Sequence, residues 1–179
     1  MSGEGAKANA DLSRTAQTGD LAGVKAALAQ GADVESVDAG GRTALLRAAW
    51  NGHAEVVSVL LAAGAKTDGA DDKGWTTLIL AAGEGQTEVA SLLLAAGAIV
   101  DSENNYGWTA LMRAAFTGHA DAVPLLLAAG ADTEIINKKG QTARELAIKW
   151  DHPEIAEMID RARLRREVEA EMNSEAARP

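Results

Sequence analysis

The sequence predicts an all-α solenoid of stacked helix-turn-helix units joined by short β-turns, and three observations predict it. Gly41, Gly74, Gly107 and Gly140 are evenly spaced, and Gly31, Gly64, Gly97 and Gly130 repeat the same interval. Between the two series recur Thr43-Ala44-Leu45-Leu46-Arg47-Ala48-Ala49, Thr76-Thr77-Leu78-Ile79-Leu80-Ala81-Ala82 and Thr109-Ala110-Leu111-Met112-Arg113-Ala114-Ala115, each followed by a Gly and a second apolar stretch. The apolar fraction of 47% comes mostly from Ala, Leu and Val, while aromatics make up only 3%. Layers packed on such small side chains must be thin, which favours paired helices. A fixed period of roughly 33 residues marks an array in which each unit buries its surface against its neighbours, so one elongated domain is expected.

Residues 1–8 are small and polar and are expected to be disordered, having little to bury. A helix pair at 12–17 and 21–30 follows and lacks the Asp-x-x-Gly-x-Thr turn of later units, so 9–37 reads as an N-terminal cap. Full repeats are expected at 38–70, 71–103 and 104–136. In 137–160 Arg144 and Glu145 replace apolar residues and Asp151 replaces the Gly between helices, the polar outer face a terminal unit needs. The repeat domain therefore covers 9–160.

Within a unit, Asp38, Asp71, Asn104 and Asn137 can bond the backbone of the tight turn they begin, with a Gly three residues later. Thr43, Thr76, Thr109 and Thr142 suit the N-cap of the first helix, each worth about 1 kcal/mol. The second helices carry Val56, Val57, Leu60 and Leu61; Val89, Leu92 and Leu93; Val123, Leu126 and Leu127, at the spacing of one buried face. Gly64, Gly97 and Gly130 then close the helices in a left-handed conformation. Pro153 falls in the first turn of the last helix, where a missing N–H costs little. Pro124 lies deeper and is expected to distort the helix around Val123. The charged stretch 161–179 carries Leu164, Val168 and Met172 four residues apart as a narrow stripe. It reads either as a helix running on into solvent or as a short helix docking on the cap or on a second chain.

These glycines, turns and helix starts resemble the ankyrin repeat, whose signature is T-P-L-H-x-A. The resemblance implies an ankyrin-repeat solenoid whose turn tips and exposed first-helix sides line a concave groove for protein partners. It also implies a structural role for His53, His119 and His152, each at the start of a second helix. The Pro and His of the signature are replaced by Ala44 and Leu46, Thr77 and Ile79, Ala110 and Met112, and Ala143 and Glu145. Stacking should then rest on apolar contact and tolerate salt.

The net charge of -9 opposes binding to nucleic acid or anionic membrane, because phosphate contact depends on Lys and Arg releasing counterions. No cysteine is present, so neither a disulfide framework nor a thiolate nucleophile is available. The start has no apolar leader and the chain no apolar run long enough to span a bilayer, so a cytoplasmic protein is expected. The histidines lie on successive layers, the carboxylates sit in turns and caps, and the glycines form no phosphate-binding cluster. No catalysis, metal or cofactor is expected.

The aromatics all fall at positions where the repeat asks for no core residue. Carried over position by position, the turn sites of the groove are Arg42; Lys73 and Trp75; Tyr106 and Trp108. The first-helix sites are Arg47, Trp50 and Asn51; Gly83 and Glu84; Arg113 and Phe116; Lys149 and Trp150. Trp75 and Trp108 have two readings, indoles packed against the next turn or a binding surface. Trp50 and Phe116 share one register and flank Gly83, which predicts two aromatic walls roughly 20 Å apart over a glycine floor, from layers about 10 Å apart. Arg47 and Arg113 would add cations at its rim. Trp, Tyr and Arg dominate interface hot spots. The expected partner is an extended or helical protein segment with apolar and acidic residues, bound by a monomer. The other reading is a structural or regulatory subunit that self-associates through its C-terminal helix or acidic convex face.

Overall fold

The computed structural model describes residues 3–176. Its helices pair into five units: α1 (Gly3–Thr18) with α2 (Leu21–Ala29), α3 (Ala44–Trp50) with α4 (Ala54–Ala62), α5 (Thr77–Gly83) with α6 (Thr87–Ala95), α7 (Ala110–Thr117) with α8 (Ala122–Ala128), and α9 (Ala143–Lys149) with α10 (Pro153–Ala176). First helices pack on first helices in the order α1, α3, α5, α7 and α9, and second helices form a parallel row from α2 to α10. The core between the rows is thin and continuous. Leu46, Ile79 and Met112, which stand where the signature has His, are all buried in it, as apolar stacking requires.

Local chemistry sets each unit in register. The Oγ atoms of Thr43, Thr76, Thr109 and Thr142 accept from the amides of Leu46, Ile79, Met112 and Glu145 at 3.2–3.3 Å. In the last unit Glu145 returns a bond to the Thr142 amide, completing a capping box. Each turn is held by its first side chain: Asp38 Oδ1 accepts from the amides of Gly40 and Arg42 at 2.7 and 3.1 Å, and Asn104 Oδ1 does the same for Tyr106 and Trp108. Successive turn tips are then tied together by the amides of Asp72, Asn105 and Lys138, which donate to the carbonyls of Gly40, Lys73 and Tyr106. On the opposite loops, Glu35, Asp68 and Asp101 accept from the amides of Lys66, Ile99 and Asp132 in the following unit, at 2.9–3.1 Å.

The structure refines or departs from the sequence reading in four places. Helix α1 begins at Gly3, inside the stretch expected to be disordered; residues 1 and 2 lie outside the described residues. Ala8 is buried at 2% exposure and Asn9 accepts from the Asp33 amide at 2.8 Å, so even this small-residue segment has contacts to hold it. Pro124 acts as expected but with a definite outcome: α8 starts at Ala122, where α4 and α6 start directly after His53 and Gln86. Lacking an N–H, Pro124 cannot bond the Ala120 carbonyl, and the turn is tightened by an Ala122-to-His119 bond of 3.1 Å. Asp151 adopts the left-handed φ of 62° that glycine serves in the earlier units.

The fourth place is the tail, which combines a docked stretch with a helix that runs on. Helix α10 continues unbroken from the cap to Ala176, with 177–179 outside the described residues. As far as Arg166 it docks. The Arg166 guanidinium donates to the carbonyls of Leu127 and Ala131 at 3.3 and 3.0 Å, and Arg163 pairs with Glu134 at 3.7 Å. From Glu167 to Ser174 the side chains face solvent.

Candidate functional site: the concave groove

Turn tips and the exposed sides of the first helices form one wall of side chains, and position i on a first helix reaches over position i − 30 of the unit before. Three pairs follow this spacing with three outcomes. Arg47 reaches Gln17, Leu80 borders the same hollow as Trp50, and Arg113 lies across Gly83. What each side chain finds there decides whether it is free to meet a partner.

Arg47 is not a rim cation. Its guanidinium bonds both Asp38 and Gln17, and its side chain is only 17% exposed. Asp38 also accepts from Arg42 Nε at 3.0 Å. Burial raises the Asp38 pKa, but the amides of Arg42 and Gly40 and the charge and hydrogen bond of Arg47 outweigh it and lower it to about 2. Arg42 and Arg47 therefore direct their charge to an internal carboxylate. Sequence reasoning assigned Asp38 to the turn alone. The signal it missed is the step from Asp38 to Arg47, which recurs as Asn104 to Arg113 with an uncharged amide in place of the carboxylate.

Without an anion at Asn104 to hold it, Arg113 turns the other way. A Cβ on Gly83 would stand 2.6 Å from Arg113 Nε, so the expected empty floor is filled by the arginine stem, and Gly83 is buried. The guanidinium carbon lies 5.3 Å from the Trp75 ring and 5.7 Å from the Phe116 ring, within cation–π range. Its Nη2 is 3.8 Å from Glu84 Oε1, beyond hydrogen-bond length. Its buried Nε has no acceptor among the described residues.

The aromatics form a ladder rather than two separated walls. Trp75 meets Trp108 at 6.5 Å, Trp108 meets Phe116 edge-on at 5.2 Å, and Phe116 meets Trp150 at 4.7 Å. Trp75, Trp108 and Phe116 are partly buried against the core, contrary to the expectation that none of the aromatics serves it. Ring pairs of this geometry stabilise by about 1 kcal/mol each beyond burial. Trp50, Tyr106 and Trp150 stay exposed, at 39%, 50% and 49%. Trp50 stands outside the ladder.

One open hollow of about 480 Å³ brings together Trp50, Trp75, Leu80, Glu84 and Arg113, with Arg42 and Lys73 at its edge. Six of the sequence-predicted site residues thus line one cavity. Trp108, Phe116 and Trp150 lie further along the ladder, Tyr106 and Lys149 are exposed, and Asn51 donates to the Arg47 carbonyl at 2.8 Å as a helix end. A second hollow of about 410 Å³ lies between α1 and the first turn and is lined by Arg14, Gln17, Val37, Asp38 and Arg47.

The histidines have structural surroundings. The His53 ring packs over Gly19 with Nε2 3.0 Å from the Gln17 carbonyl, and His119 and His152 pack over Gly85 and Gly118. Among the described residues no group of His, Cys, Asp and Glu could hold a metal ion, and no helix is long and apolar enough to cross a membrane. No curated protein matches the sequence. The family model for ankyrin repeats (three copies) matches residues 12–104 and 97–164. With that match spanning most of the described solenoid, the chain belongs to the ankyrin repeat family.

Proposed function

We propose that this protein is a non-catalytic scaffold of the cytoplasm that takes a segment of a partner protein into its concave groove. Ankyrin repeats are generally protein–protein interaction modules. The observation that carries the reading is the hollow between Trp50 and Trp75, lined also by Leu80 and by Arg113, whose terminal Nη2 stands 3.8 Å from the Glu84 carboxylate, beyond hydrogen-bond length. Its indoles suit an apolar anchor. A carboxylate beside that anchor would pair with the terminal nitrogens of Arg113, while Lys73 at the edge stands next to Asp71 and Asp72. The segment is therefore extended or helical, with an apolar residue and an acidic one close together. Presentation on a stacked array keeps the ordering cost of binding low. The reading calls on no cofactor.

Trp50→Ala is the decisive variant, because Trp50 is exposed and outside the aromatic ladder. Phe116→Ala would remove a ring that packs on both Trp108 and Trp150, so its effect on binding would be mixed with a loss of stability. A partner retained from source lysate by the wild type should bind Trp50→Ala about 30-fold more weakly, the equivalent of a hot spot of about 2 kcal/mol. Titration calorimetry measures this, with helix content by circular dichroism unchanged. Equal affinity for the two proteins would remove the groove from the account.

A further inference from the structure

We propose that two copies of this protein associate tail to tail, their α10 helices crossing antiparallel through the solvent-facing side. This stands apart from the groove reading, since it uses none of the same residues. Leu164, Val168 and Met172 are 59%, 54% and 64% exposed. They lie on the side of α10 opposite Ile155 and Ile159, which are buried against the preceding units. The outer face of a terminal unit in a solenoid is ordinarily polar, so an apolar stripe there leaves the cap incomplete. Residues four apart form one ridge, and like ridges interdigitate at a crossing angle of about 50°.

Charge selects the occupant and its direction. Arg161 and Arg165 flank the N-terminal end of the stripe, and Glu169 and Glu171 flank its C-terminal end. A parallel copy would set like charge over like, whereas an antiparallel copy sets Arg165 over Glu169 twice, as a two-fold, self-closing interface requires. The ion pairs of α10 among the described residues use Glu157, Asp160, Arg161, Arg163 and Glu167, so Arg165, Glu169 and Glu171 have none there. The helix end that projects past the cap is marginal in isolation, and a second copy would cover it. Three half-exposed side chains per copy fall well short of the about 800 Å² per partner of a stable interface. The association is therefore weak and concentration-dependent.

Sedimentation equilibrium on the full chain tests this across concentrations up to several times a dissociation constant on the order of 100 μM. The mass should rise from 18.5 kDa towards twice that value. Val168→Glu should weaken association at least ten-fold while Trp50→Ala leaves it unchanged, so failure here and failure of the groove are separable. Arg165→Glu and Glu169→Arg should each weaken it, and an equimolar mixture of the two should restore it. All these side chains are exposed, so circular dichroism should match the wild type. A wild type that stays at 18.5 kDa throughout, association indifferent to Val168→Glu, or a mixture without restoration would each overturn the proposal.

Discussion

Gly85 and Gly97 share a left-handed backbone, with φ of +69° and +91°, but not a neighbourhood. A Cβ on Gly85 would stand 2.6 Å from the His119 ring, whereas one on Gly97 would meet nothing within 4 Å. Gly97→Ala therefore carries only the conformational cost, about 1 kcal/mol. Gly85→Ala adds overpacking against a ring held between units and should lose about 3 kcal/mol. Urea denaturation of the two variants measures the difference, and equal losses would mean that the histidine ring yields freely. The glycine period was plain in the sequence. That one glycine series also receives a side chain from the next unit was not, because it depends on a contact a full repeat away. Arg47 reads in the sequence as a groove cation like Arg113 for the same reason. Their long stems choose among partners on neighbouring units: Asp38 and Gln17 hold Arg47 inward, whereas Asn104 and Gly83 stand at the same positions for Arg113, which lies over Gly83.

At the scale of the element, the features that could be read in advance were those decided within a single helical turn. The threonine caps, the Asx-type turns and the start of α10 at Pro153 need no knowledge of neighbours. The start of α1 did need it, since Ala8 is buried only when the following helices are stacked beside it. The ladder from Trp75 to Trp150 likewise appears only once turns and first helices from successive units are brought side by side. Thr109 tests how much a local signal contributes. It is 1% exposed, and its Oγ is the acceptor for the Met112 amide at 3.3 Å. Thr109→Ala should destabilise by about 1–2 kcal/mol, from the lost cap and a buried donor left unpaired. Thr109→Ser should recover most of it in the same denaturation measurement, and a Ser variant as weak as Ala would assign the loss to methyl packing instead.

In the whole molecule, helix contacts run between neighbouring units, so stability is close to a sum of units and interfaces, and damage should stay local. The carboxylate ladder shows how the array ends. Glu35, Asp68 and Asp101 each take an amide of the next unit, while Glu134, with no further repeat to serve, faces Arg163 of α10. Arg166 completes the closure by donating to the carbonyls of Leu127 and Ala131. Arg166→Ala removes both bonds and should cost about 1–2 kcal/mol in the last two units. Hydrogen exchange resolved by segment should then show roughly ten-fold faster exchange in α8–α10 and little change in α3 and α4. Asp68→Ala, which strips the acceptor from the Ile99 amide in mid-array, should instead raise exchange on both sides of the lesion. If Arg166→Ala accelerated α3 as much as α8, the array would be folding as one cooperative block, and α10 would be a brace for the whole stack rather than the lid of its last layer.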